Sequence, residues 1–364
     1  MHADADQARP DIRLLSDLDP RANAFDAIRL IAALAVIVSH AFPLTGEAQD
    51  PLQWLSGGQA SIGHMAVCVF FLISGYLIPA SLDRGSLARF ASKRALRIMP
   101  GLVAAVLICA FLLGPLVTTL ALPDYLAARD TWKFLGNLAF LPVGFHLPGV
   151  FETNPTFEVN GSLWSLRYEV ACYVMVPLTF VFLRWRVAAV AACWLASLVL
   201  TELIDVTRGS IYHHAGLFFT LFRYFGAGML FYLLAGRVPM RAGWAWAAFA
   251  ASALSVLTPL FGAVSATLGA YALIYFAHHA PAGLRRLTAR GDISYGVYVY
   301  AFPIQQLLVP LSLSLAASGA VAAWLVNTAL ALPLAIVAGA ASWLWVEKPF
   351  MALGRARTAS PQPA

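Results

Sequence analysis

The sequence predicts an all-α membrane protein, a polytopic helix bundle of about ten transmembrane helices with both termini in the cytosol. Three observations predict it. Of 364 residues, 60% are hydrophobic and 12% charged, about half the charge of an average soluble domain. Ile98–Pro123, Ala242–Leu284 and Ile293–Val346 carry no charge at all, and the last two hold two spans each at about 20 residues per span. The strict alternation of an outer-membrane barrel is missing. A soluble domain cannot hide this much apolar surface, which excludes a cytosolic enzyme, a secreted disulfide scaffold and a nucleic-acid binder.

Taken in order, residues 1–24 are polar, with Asp4, Asp6, Asp11, Asp17 and Asp19. They lack the apolar stretch of a signal peptide and are expected to form a cytosolic tail. Spans are expected over 25–44, 62–80, 98–121, 162–183, 187–204, 216–236, 243–261, 264–283, 293–313 and 319–346. The breaks fall at turn-formers such as Thr258-Pro259 and Ser318-Gly319. Residues 25–350 form one domain, and 351–364 a second cytosolic tail.

Charge placement tests this order, because Lys and Arg collect on the cytosolic side. The inner positions hold Arg9, Arg13, Arg21, Arg84, Arg89, Lys93, Arg94, Arg97, Arg184, Arg186, Arg237, Arg241, Arg285, Arg286, Arg290, Lys348, Arg355 and Arg357, 18 in all. The outer positions hold 3: Arg129, Lys133 and Arg208. This bias also accounts for the net charge of +6 without a nucleic-acid partner. Residues 134–148 are apolar but short and broken by Gly and Pro. A crossing there would reverse the bias, so 122–161 is read as one outer region with room for a re-entrant segment. No internal repeat of the transporter kind is visible.

Ionisable groups inside spans are costly and mark function. Arg29 and His40 lie 11 residues apart, on one face of the first helix and roughly 16 Å apart along its axis. Arg29 then sits at the cytosolic boundary and His40 beyond the midplane. A histidine there is either a general base or nucleophile, or a bundle histidine bonded to a carbonyl. Arg29 is either functional or a snorkelling interfacial arginine. Glu169 is placed a third of the way into an outside-to-inside span. It either orients His40 or pairs with Arg167 or Arg223. The stretch 84–100 is read as an inner loop with five basic residues. Its Arg94 and Arg97 suit phosphate groups or lipid headgroups. Ser74 and Gly75 permit close helix approach. Cys68, Cys109, Cys172 and Cys193 lie in apolar runs and read as buried thiols, and no histidine spacing stands out as a metal site.

Seven segments in order, FDAIRLIAALAVIVSH, FFLISGYLIP, KRALRIMP, NGSLWSLRYEV, FRYFGAGML, ISYGVYVYAFPIQQ and WLWVEKPF, resemble the membrane-bound acyltransferase-3 family, in particular its bacterial exopolysaccharide O-acetyltransferases. They cover nearly all of 25–350, and the length leaves no room for the extra extracytoplasmic domain that some members carry. The resemblance implies a multi-pass protein of the bacterial inner membrane. It implies cytosolic acyl-CoA as donor, acetyl-CoA by family default, and no metal. The acceptor is a sugar hydroxyl of a polysaccharide or lipid-linked oligosaccharide, and the partners are that acceptor and membrane lipids. His40, Arg29 and Glu169 match the catalytic positions. Arg94 and Arg97 match the donor motif, with Lys93, Ser74 and Gly75 beside them. Asn160, Trp164, Arg167, Tyr168 and Trp132 are candidate acceptor contacts. Many members have a histidine where this chain has Ala301, so no proton transfer is assigned there.

Two versions of the chemistry fit these residues. His40 takes the proton of the attacking hydroxyl, or it carries the acyl group itself. The rival classes are a secondary transporter or flippase, using His40, Glu169 and the membrane arginines as a path, and a structural subunit of an export complex. A transporter would show an internal repeat, and a structural subunit needs no charge in the bundle interior.

Overall fold

A computed structural model describes residues 13–141, 144–181, 185–204, 210–317, 319 and 321–359. Arg9, Arg184 and Arg208 of the charge count, the break at Ser318 and the side chains of Arg355 and Arg357 lie outside the described residues. Helices dominate; Leu14 and Pro239 form an isolated antiparallel bridge. Among the described residues, eight helices are long and apolar enough to cross a membrane: α1 (Phe25–Leu44), α2 (Ile62–Asp83), α3 (Leu87–Val117), α5 (Arg186–Leu203), α6 (His213–Leu233), α8 (Phe261–His278), α9 (Ser294–Ala316) and α10 (Ala323–Leu353). Two shorter ones, α4 (Leu166–Val181) and α7 (Ala242–Leu257), fill the remaining expected places. This is a multi-pass membrane bundle, and each helix answers one expected span.

Local sequence sets the ends. The Ser61 and Ser86 side chains accept the His64 and Arg89 amides, capping α2 and α3. The cap at Ser86 corrects the loop expected over 84–100. Phe90 and Ile98 are buried, so the basic stretch has an apolar face and is the first part of α3. The helices close through small residues. A Cβ on Gly75 would stand 2.0 Å from the Phe225 carbonyl oxygen, and one on Gly228 would stand 2.3 Å from that of Leu72. These two glycines bring α2 and α6 to backbone contact. Gly75 is therefore a packing residue. The lipid side of the bundle is apolar; Leu203 is 72% exposed and Val337 66%, as apolar solvent requires.

The segment 134–148 begins with a single 3₁₀ helix, Phe134–Ala139, too short to cross. The re-entrant part lies further on. The Asn154 amide donates to the Gln306 side chain (2.7 Å), that of Asn160 donates to the Val299 carbonyl (2.9 Å), and the Ser165 and Tyr298 hydroxyls bond at 2.8 Å. The chain from 154 to 165 thus descends along α9 toward the end where the basic residues gather, called the inner end below. Only there does α4 begin, at Leu166 and not at 162, which is why it has 16 residues. The inside of the bundle satisfies the backbone of this non-helical stretch, as irregular structure at membrane depth requires. Cys68, Cys109 and Cys172 are buried free thiols, and Cys193 is a half-buried one.

Candidate active site

The inner ends of α1, α3, α4 and α9 enclose a cavity of about 740 Å³. Arg29 enters it from α1, Lys93, Arg94 and Arg97 from α3, Glu169 from α4 and Ser74 from α2. The early start of α3 gives the cavity its charge, because its first two turns hang below the apolar part of the bundle.

An ion-pair chain holds one wall. Arg97 Nη2 lies 2.5 Å from Asp292 Oδ2, and Arg97 Nη1 lies 3.1 Å from Oε2 of the fully buried Glu347. Arg29 Nη1 is 3.2 Å from Asp26 and 3.8 Å from Asp292. The Ser342 hydroxyl donates to Glu347 (3.0 Å), and the Ser294 hydroxyl and amide donate to Asp292. The Tyr295 and Trp343 rings flank the Arg97 guanidinium at 5.9 and 5.8 Å. Burial alone would raise the Asp292 carboxyl; the Arg97 and Arg29 guanidiniums and the Ser294 bonds outweigh it and hold it below its ordinary value.

The structure therefore divides the two arginines expected to bind phosphate together. Arg97 is committed to two carboxylates. Arg94 makes no salt bridge among the described residues, and its buried Nε has no hydrogen-bond partner there. Arg89, Lys93, Arg94 and Arg290 are the cations that line the cavity without a salt bridge to a carboxylate among the described residues.

Glu169 is a second correction. A span beginning at 162 puts it at the depth of His40; the later start of α4 puts it in the inner cavity. There it accepts a hydrogen bond from the Tyr173 hydroxyl and feels Arg29, Arg97 and Arg94. It pairs with neither Arg167 nor Arg223: Arg167 lies over the Phe145 ring at 5.9 Å, and Arg223 is 3.6 Å from Glu202.

His40 stands outside the cavity lining. Its ring meets that of Phe302 edge-on at 5.1 Å, and its buried Nδ1 has no hydrogen-bond partner among the described residues. Phe302 follows Tyr298, at the end of the cavity, by four residues, one helical turn or about 6 Å outward. On its other side Phe302 abuts Gly161, where a Cβ would lie 2.7 Å from the ring. The re-entrant turn and Phe302 together form the wall between cavity and imidazole. Around that wall, Asn160 Oδ1, Ser162 Oγ and Gln305 Oε1 are also buried without hydrogen-bond partners among the described residues.

The expected acceptor residues divide as well. Trp164 packs edge-on to Tyr168 at 5.9 Å, and the Tyr168 hydroxyl bonds His214 Nδ1 at 2.8 Å. Asn160 anchors the re-entrant turn. Trp132 belongs elsewhere: it is 54% exposed, donates to the Leu126 carbonyl and packs on Phe111. Sequence reasoning missed Asp292, Glu347, Tyr173, Tyr298 and Phe302. Glu347 stands in WLWVEKPF, but a carboxylate at a span end reads as an ordinary interfacial group.

Comparison with known proteins agrees with this architecture. The profile of the family Acyl_transf_3, an acyltransferase domain, matches residues 22–344. The O-acetyl transferase of Shigella phage Sf6 is 30% identical over 302 residues, covering 79% of this chain and 86% of the relative. Nodulation protein 10 of Rhizobium leguminosarum bv. viciae is 28% identical over 365 residues, covering 91% and 94%. The O-acetyltransferase OatA of Staphylococcus aureus is 28% identical over 171 residues, which are 44% of this chain and 25% of OatA. No solved structure matches.

Proposed function

This chain belongs to the acyltransferase-3 family of membrane O-acetyltransferases, and from that premise we propose that it moves an acetyl group from cytosolic acetyl-CoA to a sugar hydroxyl of a surface polysaccharide or its lipid-linked precursor, in the bacterial inner membrane. One observation carries the reading. The cavity has carboxylate-free cations, Arg89, Lys93, Arg94 and Arg290, at the basic end of the bundle, and it reaches Tyr298, one helical turn short of Phe302, whose ring meets His40.

That shape suits a donor with a phosphate-rich head and a thin arm. The head sits against Arg94, Lys93 and Arg290, where charge-assisted bonds are strongest. The arm runs past Ser74 and Glu169 toward Tyr298, and the acetyl group passes the Phe302–Gly161 wall to the imidazole. His40 takes the proton of the sugar hydroxyl as its oxygen bonds the thioester carbonyl carbon. The carbon–sulfur bond then breaks, and the proton goes to the departing thiolate. Glu169, on the donor side, positions the arm instead of the base. The buried polar atoms at Asn160, Ser162 and Gln305 are the groups an incoming hydroxyl can satisfy.

The test uses purified protein in proteoliposomes with labelled acetyl-CoA outside and an acceptor glycan inside. Label on the glycan with stoichiometric free thiol supports the reading. Glycan movement without thiol release overturns it in favour of a transporter.

A further inference from the structure

Helix α9 carries two prolines, Pro303 and Pro310. They are two turns apart and so share one face. A proline inside a helix has no N–H for the carbonyl four residues back. Pro303 therefore leaves the Val299 carbonyl without its helix donor, and Pro310 does the same to that of Gln306. The re-entrant segment fills both places. Asn160 Nδ2 donates to the Val299 carbonyl at 2.9 Å, and Asn154 Nδ2 donates to the Gln306 carbonyl at 3.1 Å. Pro43, Pro100, Pro177 and Pro333 interrupt α1, α3, α4 and α10. Among the described residues, no side chain donates to the carbonyls they free, on Ser39, Leu96, Tyr173 and Ala329. The pairing of proline and asparagine belongs to α9.

The pairing also decides which way the Asn160 amide faces. A carbonyl only accepts, so Nδ2 must turn to Val299, and Oδ1 is the atom left over. That oxygen is buried without a hydrogen-bond partner among the described residues. Gln305 repeats the arrangement. Its Nε2 donates to the Ile37 carbonyl (2.8 Å) and to Asn327 (3.0 Å), and its Oε1 is open. Two fixed amide oxygens thus stand open around the wall beside His40, and what an amide oxygen lacks is a donor such as a hydroxyl. The same docking sets the wall itself. Gly161 follows Asn160, Phe302 precedes Pro303, and a Cβ on that glycine would lie 2.7 Å from the Phe302 ring.

We propose that Pro303 and Pro310 are positioning residues of the acceptor side. Each withholds a helix N–H, and the carbonyl so freed holds an asparagine of the re-entrant segment. Through Asn160 they leave Oδ1 open to the incoming hydroxyl and hold Gly161 against Phe302. This deepens the function proposed above and rests on it. Neither proline takes part in a bond-making step; each acts through the asparagine docked on the carbonyl behind it.

The test is a double-mutant cycle on the purified full chain in detergent: Pro303→Ala, Asn160→Ala and the two together. With Pro303 in place, Asn160→Ala strands the Val299 carbonyl, and the melting temperature should fall by about 2 °C. In the Pro303→Ala background the helix supplies an N–H to that carbonyl, so the same change should cost about half as much or less. Transfer is read with labelled acetyl-CoA and polysaccharide from the source strain, stripped of its ester groups by mild alkali. Pro303→Ala should raise the KM for the polysaccharide about tenfold and leave that for acetyl-CoA within about twofold. A proline with a purely structural role would move both alike or neither. Pro310→Ala with Asn154→Ala gives a second cycle read in the same two ways. Its coupling should be smaller, because Asn154 also donates to Gln306 Oε1, and it carries the test if Pro303→Ala fails to fold. Equal cost of Asn160→Ala in both backgrounds overturns the proposal, as does an unchanged polysaccharide KM in a folded Pro303→Ala protein. A wild type that transfers no acetyl group overturns the proposed function, whereas the melting cycle still decides the docking.

Discussion

The two ends of α1 lie in opposite surroundings. Around Arg29 charges are dense and answered: Asp26, Asp292, Arg97 and Glu347 form one chain of pairs, tied down by Ser294 and Ser342. Beside His40 the buried carboxylate of Asp50 is closed by the Ser39 hydroxyl at 2.5 Å, and four buried polar atoms lack partners among the described residues, on His40, Asn160, Ser162 and Gln305. A buried ion pair is rigid because removing either member strands the other. A buried polar atom without a partner costs about 1–3 kcal/mol. The inner end thus has one wall closed by ion pairs and leaves cations such as Arg94 open for an anionic ligand, whereas the outer end leaves uncharged polar atoms open. Holding a charged donor and accepting a hydroxyl call for that difference.

The largest test of the contrast is His40→Ala. Acetyl transfer should fall by about 10²–10⁴-fold, the usual share of a general base, while coenzyme A affinity stays within about twofold, as read by thiol release and calorimetry. Loss of affinity equal to the loss of rate would show that the two ends act as one site.

Arg97→Ala should cost about 3–5 kcal/mol of stability by stranding Asp292 and Glu347, seen as a lower melting temperature in detergent, with Arg97→Lys recovering only part. Acid should act through the same pair. The folded Asp292 carboxyl is held below its unfolded value, so its contribution is present above about pH 4. It is lost as pH falls through the lower folded value. The wild type should lose stability on that descent, and Arg97→Ala should lose less. An identical acid profile in both would remove the pair from the account.

Arg94→Ala should weaken coenzyme A binding by about tenfold with the melting temperature unchanged, since no carboxylate depends on it; a large fall in melting temperature would make Arg94 a structural cation like its neighbour. The smallest effect is expected from Phe302→Ala. Opening the wall should raise acceptor-independent release of coenzyme A about two- to fivefold by admitting water, and an unchanged background rate would mean that Phe302 does not separate the two ends.

Much of this was legible in the sequence. Uncharged runs placed the eight helices long enough to cross and the two shorter ones among the described residues, and the spacing of Arg29 and His40 put them on one face because α1 is continuous. What stayed hidden depended on partners far away in the chain. Arg97 meets Asp292 and Glu347 across 195 and 250 residues, so its commitment leaves no local trace. The basic stretch 84–100 read as a loop because charge outweighed the buried Phe90 and Ile98. The start of α4 was misplaced because Gly161–Ser165 is apolar enough to read as membrane helix, although it is a 3₁₀ turn. That shift moved Glu169 from the depth of His40 to the donor side.

The descending segment between Asn154 and Ser165 also constrains how the protein is made. Its anchors on α9 lie 133 to 152 residues later in the chain. When the ribosome delivers Asn154, Asn160 and Ser165 to the membrane, the helix that will bond them has yet to be translated. Their polar groups have no reason to enter the bilayer early, so they wait in outer water while α5 through α8 insert. Both halves of the active site therefore close late: the descending segment waits for α9, and the ion-pair wall of the donor cavity waits for Asp292 and Glu347. A nascent chain halted before Ser294 would hold its early helices with the centre of the bundle unfilled.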